Sequence, residues 1–344
     1  MRALRLLLIP FSLLYAAVIR LRHCLYDRGC LSSSRGALPA IVVGNLSTGG
    51  TGKTPFTMFL TKRLLALGIR PAILSRGYRR LTSGFILAST GNGAQMLGDE
   101  PALMKRMLPD VPLAVCEDRL EGIRRLASCN PPADVVVLDD AFQHRRLRAQ
   151  LYIVLMPWDQ PWWYDLPLPA GNLRDIRRSA RRAQAIVVTR CPAEIREEDK
   201  SAFRSRINPQ PGQSIFFASV RYGTPTDLEG KPVELSPDTP ILGFCGIAAP
   251  EPFRDFLASA FALKKFKSYP DHHGFTASDL QSLGTELATF ATPTARLVTT
   301  AKDAERLLLL KGPWRERICI IPIETYLADG EDDFNRLISQ AAGH

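Results

Sequence analysis

Short runs of apolar residues recur along the chain, each followed by a longer mixed segment. IVVG (41–44), AILS (72–75), VVVL (135–138), LYIVLM (151–156) and AIVV (185–188) are apolar almost throughout, the pattern of strands buried on both faces of a parallel sheet. Between them lie stretches of helical length, from about Pro55 to Leu67, from Pro101 onward, and after the strand-like VPLAV. Alternation of this kind predicts an α/β domain with a parallel sheet. Around Asn208–Gly212 the sequence turns to NPQPG, and SIFFASVRYG then alternates like a strand outside the earlier rhythm. A domain boundary is expected there. Beyond it PILGFCGI, FKSY, LVTT and CIIPIET alternate with helical segments, which predicts a second, smaller parallel-sheet domain. The expected division is residues 1–25, 26–212 and 213–344.

The first 22 residues stand apart. An apolar run from Leu6 to Ile19 contains Pro10 and is flanked by Arg2, Arg5, Arg20 and Arg22. Crossing hydrocarbon takes about 20 apolar residues, so this run is too short to span alone. It has the length of a signal-peptide core, yet no small-residue cleavage site follows. A helix lying in the membrane interface, with arginines toward lipid phosphates, fits the pattern better than a signal peptide; a helix packed on the protein body is the lesser alternative, and the two are compatible.

Composition alters little: 344 residues, 46% hydrophobic and 23% charged, with mean hydropathy near zero. The net charge of +10 implies an acidic partner without choosing among nucleic acid, anionic lipid and phosphorylated small molecules. Seven scattered cysteines without a C-x-x-C pair argue against a disulfide framework or a zinc knuckle and for a reducing compartment. The arginine-rich RDIRRSARR (174–182) comes with no groove-reading or base-stacking motif, so nucleic acid ranks low.

The candidate chemistry is concentrated in a few loops. IVVG runs into NLSTGGTGKTP, a strand that turns through glycines into a helix. Backbone N–H groups of Gly49, Gly50, Thr51 and Gly52 can converge on an anion at a helix N-terminus; Lys53 would reach the β/γ-phosphates of a nucleotide and Thr54 would ligate Mg²⁺. Ser47 stands where the usual P-loop has glycine, and Thr48 precedes the Gly-Gly pair. A second nucleotide signal is VVVL ending in Asp139-Asp140, a strand delivering carboxylates to a metal beside the P-loop strand. GDEP places Asp99 and Glu100 before a helix: they read as an N-cap, or as a base and a metal ligand. Arg76, Tyr78, Arg79 and Arg80 occupy a loop after AILS, where open α/β sheets bind ligands, though a solvated basic loop accounts for Arg79 and Arg80 about as well. His144 follows the paired carboxylates, and Asp271-His272-His273 lies in a loop of the second domain.

GNLSTGGTGKTP, LSRGY, GDEP, VLDDAFQH, LPAGNLRD, CGIAAPEPF, PDHHGF and TTAKDAERL occur in this order, and together they resemble the tetraacyldisaccharide 4′-kinase family, the lipid A 4′-kinases of Gram-negative bacteria. The resemblance implies a P-loop domain joined to a smaller Rossmann-like domain by a strand-like hinge. It implies ATP and Mg²⁺ as cofactors, a membrane-associating N-terminal helix at the cytoplasmic face of the inner membrane, and phosphorylation of the 4′-hydroxyl of an acylated glucosamine disaccharide 1-phosphate. Carried over by residue, Asp99 would be the base and His272 its dyad partner, with His273 the alternative. Lys53 would act on the phosphates, and Ser47 through Thr54 would hold the nucleotide. Thr54, Glu100 and Asp139 or Asp140 would lie at the metal, and Asp27, Arg76, Tyr78, Arg119 and His144 at the lipid headgroup. A membrane-associated switch ATPase of the partitioning type shares GGxGKT and an amphipathic helix, but those loops carry lysine where this chain has Thr48.

Overall fold

The computed structural model describes Arg5 and residues 7–344 apart from positions 90, 309 and 311. Arg2, read above as a membrane-facing cation, lies outside the described residues. Among the described residues the strands are β1 (Ala40–Asn45), β2 (Pro71–Ser75), β3 (Ile86–Leu87), β4 (Leu113–Val115), β5 (Val135–Asp139), β6 (Leu151–Pro157), β7 (Ala185–Cys191), β8 (Ser214–Tyr222), β9 (Pro240–Cys245), β10 (Ala262–Ser268), β11 (Arg296–Thr300), β12 (Ile318–Ile321) and β13 (Ile323–Leu327). The helices are α1 (Ile9–Asp27), α2 (Lys53–Ala66), α3 (Ala94–Leu97), α4 (Asp99–Met107), α5 (Arg119–Leu126), α6 (Glu197–Ile207), α7 (Glu251–Ala260), α8 (Ala277–Ala288), α9 (Ala301–Leu307) and α10 (Glu331–Ala342).

Nine strands form one sheet in the order β13-β8-β7-β6-β1-β5-β2-β4-β3, parallel except for its antiparallel edge pairs β13/β8 and β3/β4. β1 lies between β5 and β6, as expected of a P-loop strand beside the carboxylate strand, with Val43 opposite Asp139. Because side chains alternate across a strand, β1 feeds two cores. Val42 packs with Leu138, Val154 and Ile186 on one face; Ile41 and Val43 pack with Val137, Leu155, Phe56 and Leu60 on the other. Each such fully buried side chain contributes about 1.5–3 kcal/mol, which is why the loops at the strand ends sit on a rigid base. The second sheet, all parallel, runs β10-β9-β11-β12.

Sheet membership cuts the chain differently from the expected boundary at 212/213. β8 pairs with β7 in the large sheet. The chain returns to that sheet after Pro322, because CIIPIET is two strands: β12 pairs with β11 and β13 with β8. Helix α10 then buries Phe334 and Ile338 against α2, with Phe334 edge-on to Phe56 at 6.0 Å between ring centroids. The four-stranded unit is thus an excursion between β8 and β13.

Helix α1 lies on the body by polar contacts. The Ser12 hydroxyl accepts from the Ala170 amide (2.9 Å), the Tyr15 hydroxyl donates to the Arg174 carbonyl (2.9 Å), and Nε2 of His23 lies 2.8 Å from the buried Asp175 carboxylate. Its other face presents Phe11, Leu14, Val18 and Leu21, which are 56–65% exposed. Among the described residues no helix is long and apolar enough to cross a membrane.

Candidate active site

The P-loop connects β1 to α2. Gly49 and Gly52 have φ of +97° and +80°, values that favour glycine, and Gly52 occupies the N-cap of α2. Its turns are pinned by side chains: the Asn45 amide donates to Thr51 Oγ1 (2.7 Å) and Thr189 Oγ1 donates to the Thr51 carbonyl (2.9 Å). The Thr48 amide donates to the Asn172 carbonyl (2.7 Å), so the position before Gly-Gly is engaged with the LPAGNLRD loop. The Thr51 amide donates to the Gly49 carbonyl (2.9 Å), and a glycine-rich helix start of this kind suits an anion. Across it, a Cβ on Gly50 would meet Ala248 of the four-stranded unit at 3.9 Å, so both units border the cradle.

At the end of β5, Asp139 is buried and accepts from Thr57 Oγ1 (3.2 Å) and Ser75 Oγ (3.3 Å). Burial, followed by the neighbouring charges of Glu100 and Asp140, pushes its pKa up to about 7; Lys53 and Thr57 oppose the shift. Asp140 adopts φ +52° and is gripped by both terminal nitrogens of Arg174, with Lys53 Nζ 3.9 Å away. Burial alone would raise Asp140, but Arg174 and Lys53 hold it below the usual carboxylate range. Glu100, Asp139 and Asp140 thus crowd negative charge around Lys53 and the buried Thr54. No cluster of three or more His, Cys, Asp or Glu suited to hold a metal by itself occurs among the described residues. Mg²⁺ in phosphoryl-transfer sites is held by one or two carboxylates plus phosphates and water, so a hydroxyl beside repelling carboxylates suits it.

Asp99 does not cap α4. The N-cap is Gly98, and no side chain caps the helix. The carboxylate turns instead to the four-stranded unit, where Nδ1 of His272 is 3.1 Å from Oδ2 and Arg306 donates Nε (3.0 Å) and Nη2 (2.9 Å) to the same oxygen. Burial would raise the Asp99 pKa, but the His272 bond and the Arg306 charge outweigh it and hold the group below its ordinary value. His273 goes elsewhere: Nε2 lies 3.1 Å from Asp279, and the ring stacks on Tyr269.

Of the remaining expected residues, Arg119 lies within electrostatic reach of both Arg76 and His144, while Asp27 and Tyr78 are held separately. Arg119, the first residue of α5, is buried and donates to the carbonyls of Cys116 and Glu117, within electrostatic reach of Asp139, Arg76 and Asp140. Burial and then Arg119 pull His144 down to about 4, so its imidazole is neutral at pH 7, and its Nε2 has no hydrogen-bond partner among the described residues. Asp27, at the end of α1, accepts from Arg145 (2.7 Å), the neighbour of His144. Tyr78 is 64% exposed, and its carbonyl packs against Gly98, which joins its loop to Asp99. Arg80 is tied to Glu117 and to the Gly84 carbonyl, so it is a loop brace rather than a free cation.

Comparison with known proteins gives a family to the chain that carries this glycine-rich turn, these buried carboxylates and this Asp–His pair. The family model for tetraacyldisaccharide-1-P 4′-kinase matches residues 4–342. The chain belongs to the tetraacyldisaccharide-1-P 4′-kinase family. It is 38% identical over 345 residues to the tetraacyldisaccharide 4′-kinase of Flavobacterium johnsoniae, covering 99% of this chain and 98% of that one. The corresponding kinase of Bacteroides thetaiotaomicron is also 38% identical, over 348 residues, covering 96% and 91%. Among solved structures, LpxK from Aquifex aeolicus, crystallised in complex with ATP, matches with a TM-score of 0.78 and 31% identity over 98% of this chain and 99% of that one. The α/β fold expected from the sequence is the fold of this kinase family.

Residues without a role in the sequence reading also shape this kinase-family site. Arg174, Lys302 and Arg306 stood inside quoted motifs, LPAGNLRD and TTAKDAERL, but nothing in their spacing showed that they end on Asp140, His272 and Asp99.

Proposed function

We propose that this chain is an ATP-dependent lipid kinase that phosphorylates the 4′-hydroxyl of tetraacyldisaccharide 1-phosphate in lipid A biosynthesis. Family membership supports the activity, and the observation that carries the mechanism is the Asp99–His272 pair held at 3.1 Å between the two units, on the rim of the P-loop cleft. In this reading the amides of Gly49, Gly50 and Gly52 cradle the nucleotide, flanked by Ser47, Thr48 and Thr51, and Lys53 neutralises the β/γ-phosphates. Thr54, Glu100 and Asp139, with Asp140 behind Lys53, are the groups that would hold Mg²⁺, which when bound supplies positive charge to the phosphate oxygens. Asp99 accepts the proton of the sugar hydroxyl as its oxygen attacks the γ-phosphorus, and ADP leaves. His272 orients Asp99. Arg76, Tyr78, Arg119, His144 and Asp27 face the anionic disaccharide.

The exposed apolar face of α1 supports docking on a membrane, and the substrate's acyl chains make the cytoplasmic face of the inner membrane the matching location. α1 is then the anchor, the large sheet the nucleotide unit, and the four-stranded unit the part that closes over it. The test is product analysis: incubated with ATP and the disaccharide lipid in mixed micelles, the protein should yield a lipid whose second phosphate NMR assigns to the 4′-position. ATP hydrolysis without that lipid would refute the reading.

A further inference from the structure

Helix α9 belongs to the four-stranded unit, yet two of its side chains, four residues apart and so on one face, end on the Asp99–His272 pair. Lys302 Nζ lies 3.4 Å from Nε2 of His272. Nε2 is the ring nitrogen opposite Nδ1, the one that meets Asp99, so Lys302 braces the imidazole from its far side. Arg306 sends Nε and Nη2 to Oδ2 of Asp99, at 3.0 and 2.9 Å. Its Nη2 also comes within 3.3 Å of His272 Nδ1, so the guanidinium touches both members of the pair. The guanidinium is itself fixed: Nη1 donates to Asp303 (3.1 Å), and the side chain is only 7% exposed. All three bonds to the Asp99 carboxylate end on Oδ2, and Oδ1 has no hydrogen-bond partner among the described residues.

We infer that α9 is the positioning element of Asp99: Arg306 directly, and Lys302 through His272, hold Oδ2 so that Oδ1 is the oxygen presented to the acceptor hydroxyl. The inference rests on Asp99 being the base. A carboxylate free to rotate offers either oxygen to either partner, whereas one pinned through Oδ2 is aligned before the substrate arrives. The hydroxyl proton passes to Oδ1, its oxygen bonds to the γ-phosphorus, and the bond between that phosphorus and the β–γ bridging oxygen breaks. The pinning atoms come from the four-stranded unit, so alignment of the base depends on that unit being docked. A second pair between the same two helices, Arg106 Nε with Glu305 Oε1 at 2.6 Å, does not touch Asp99 and separates positioning from mere clasping.

The test compares R306M, R306K, K302M, R106M and D99N in mixed micelles, reading kcat, KM for both substrates, the Kd for ATP and the melting temperature. R306M is expected to lose kcat by about 100-fold with the ATP Kd unchanged, the scale of a misplaced catalytic group. R306K keeps the charge but not the two-pronged donation and falls between R306M and wild type, and it carries the test if R306M melts early. K302M loses kcat by a smaller factor. R106M lowers the melting temperature and spares kcat. Added to D99N, R306M should cost nothing further, because the two act as one unit. Wild-type kcat in both R306M and R306K, or equal kcat losses in R306M and R106M, would overturn the inference while an inactive D99N left the base in place. A fully active D99N would overturn the reading of the base itself.

Discussion

His272 Nδ1 lies 3.1 Å from Asp99 Oδ2 although 173 positions separate them, while the adjacent His273 serves a different partner. The backbone accounts for the divergence. His272 adopts φ +61°, a left-handed conformation uncommon for histidine, and its amide donates to the Gly246 carbonyl at 3.1 Å. That kink sends one imidazole across to the large sheet unit and leaves the other to brace the start of α8 through Asp279.

The two histidines should therefore fail differently. His272→Ala is expected to lower kcat by roughly 10²-fold or more with the Kd for ATP preserved, as loss of a group that orients a base does. His273→Ala should lower the melting temperature and leave kcat near wild type. Steady-state kinetics with thermal melts of the same preparations check this, and a larger kcat loss in His273→Ala would exchange the roles.

Gly98 provides a second test. Its φ is +92°, and a Cβ there would stand 2.7 Å from the Tyr78 carbonyl oxygen. Gly98→Ala must strain the backbone by about 1–3 kcal/mol or push apart the Tyr78 loop and Asp99. The expected outcome is a fall in kcat/KM for the lipid with ATP binding intact. Unchanged lipid kinetics would mean that this loop and Asp99 are not coupled.

What was legible in the sequence was local. IVVG, the Gly-rich turn and VVVL-Asp139-Asp140 announce themselves because a buried parallel strand and a phosphate cradle each need particular residues side by side, and β1 and β5 pair as that pattern requires. The return of the chain to the large sheet was not legible, because CIIPIET reads as one strand-like segment whose division at Pro322 depends on which sheet each half meets. Asp99 stayed open between a helix cap and a base for the same reason: an acidic residue before Glu-Pro suits a cap locally, and the contacts from α9 that draw it away are long-range. Arg306 and Arg174 are ordinary arginines until the fold sets them against Asp99 and Asp140.

The exposed stripe of α1 predicts membrane behaviour that does not involve the cleft. Phe11→Asp with Val18→Asp, both on the outward face, should reduce sedimentation with anionic phospholipid vesicles severalfold and leave ATP affinity unchanged. Full retention on vesicles would move the anchor away from α1.

Asp175 links α1 to stability. Burial would raise its pKa, but hydrogen bonds from His23 and Ser179 dominate and hold it below its ordinary value. A depressed carboxylate stabilises the fold fully above its unfolded pKa of about 3.9, and that contribution is lost as pH falls through the lower folded value. Asp175→Asn should therefore melt at a lower temperature at pH 7, by an amount equivalent to about 1–3 kcal/mol for a disturbed buried partner. Below about pH 4 its melting temperature should fall less steeply with acid than that of the wild type. Parallel pH curves for the two proteins would remove Asp175 from this role.

The most direct measurement is transfer of label from γ-³²P-ATP to tetraacyldisaccharide 1-phosphate in mixed micelles, by wild-type protein and by Asp99→Ala with matched ATP affinity. The wild type should label the lipid, and Asp99→Ala should do so at least about 10²-fold more slowly. Labelled lipid formed equally fast by both proteins, or ATP hydrolysed by the wild type with no label in the lipid, would contradict the account.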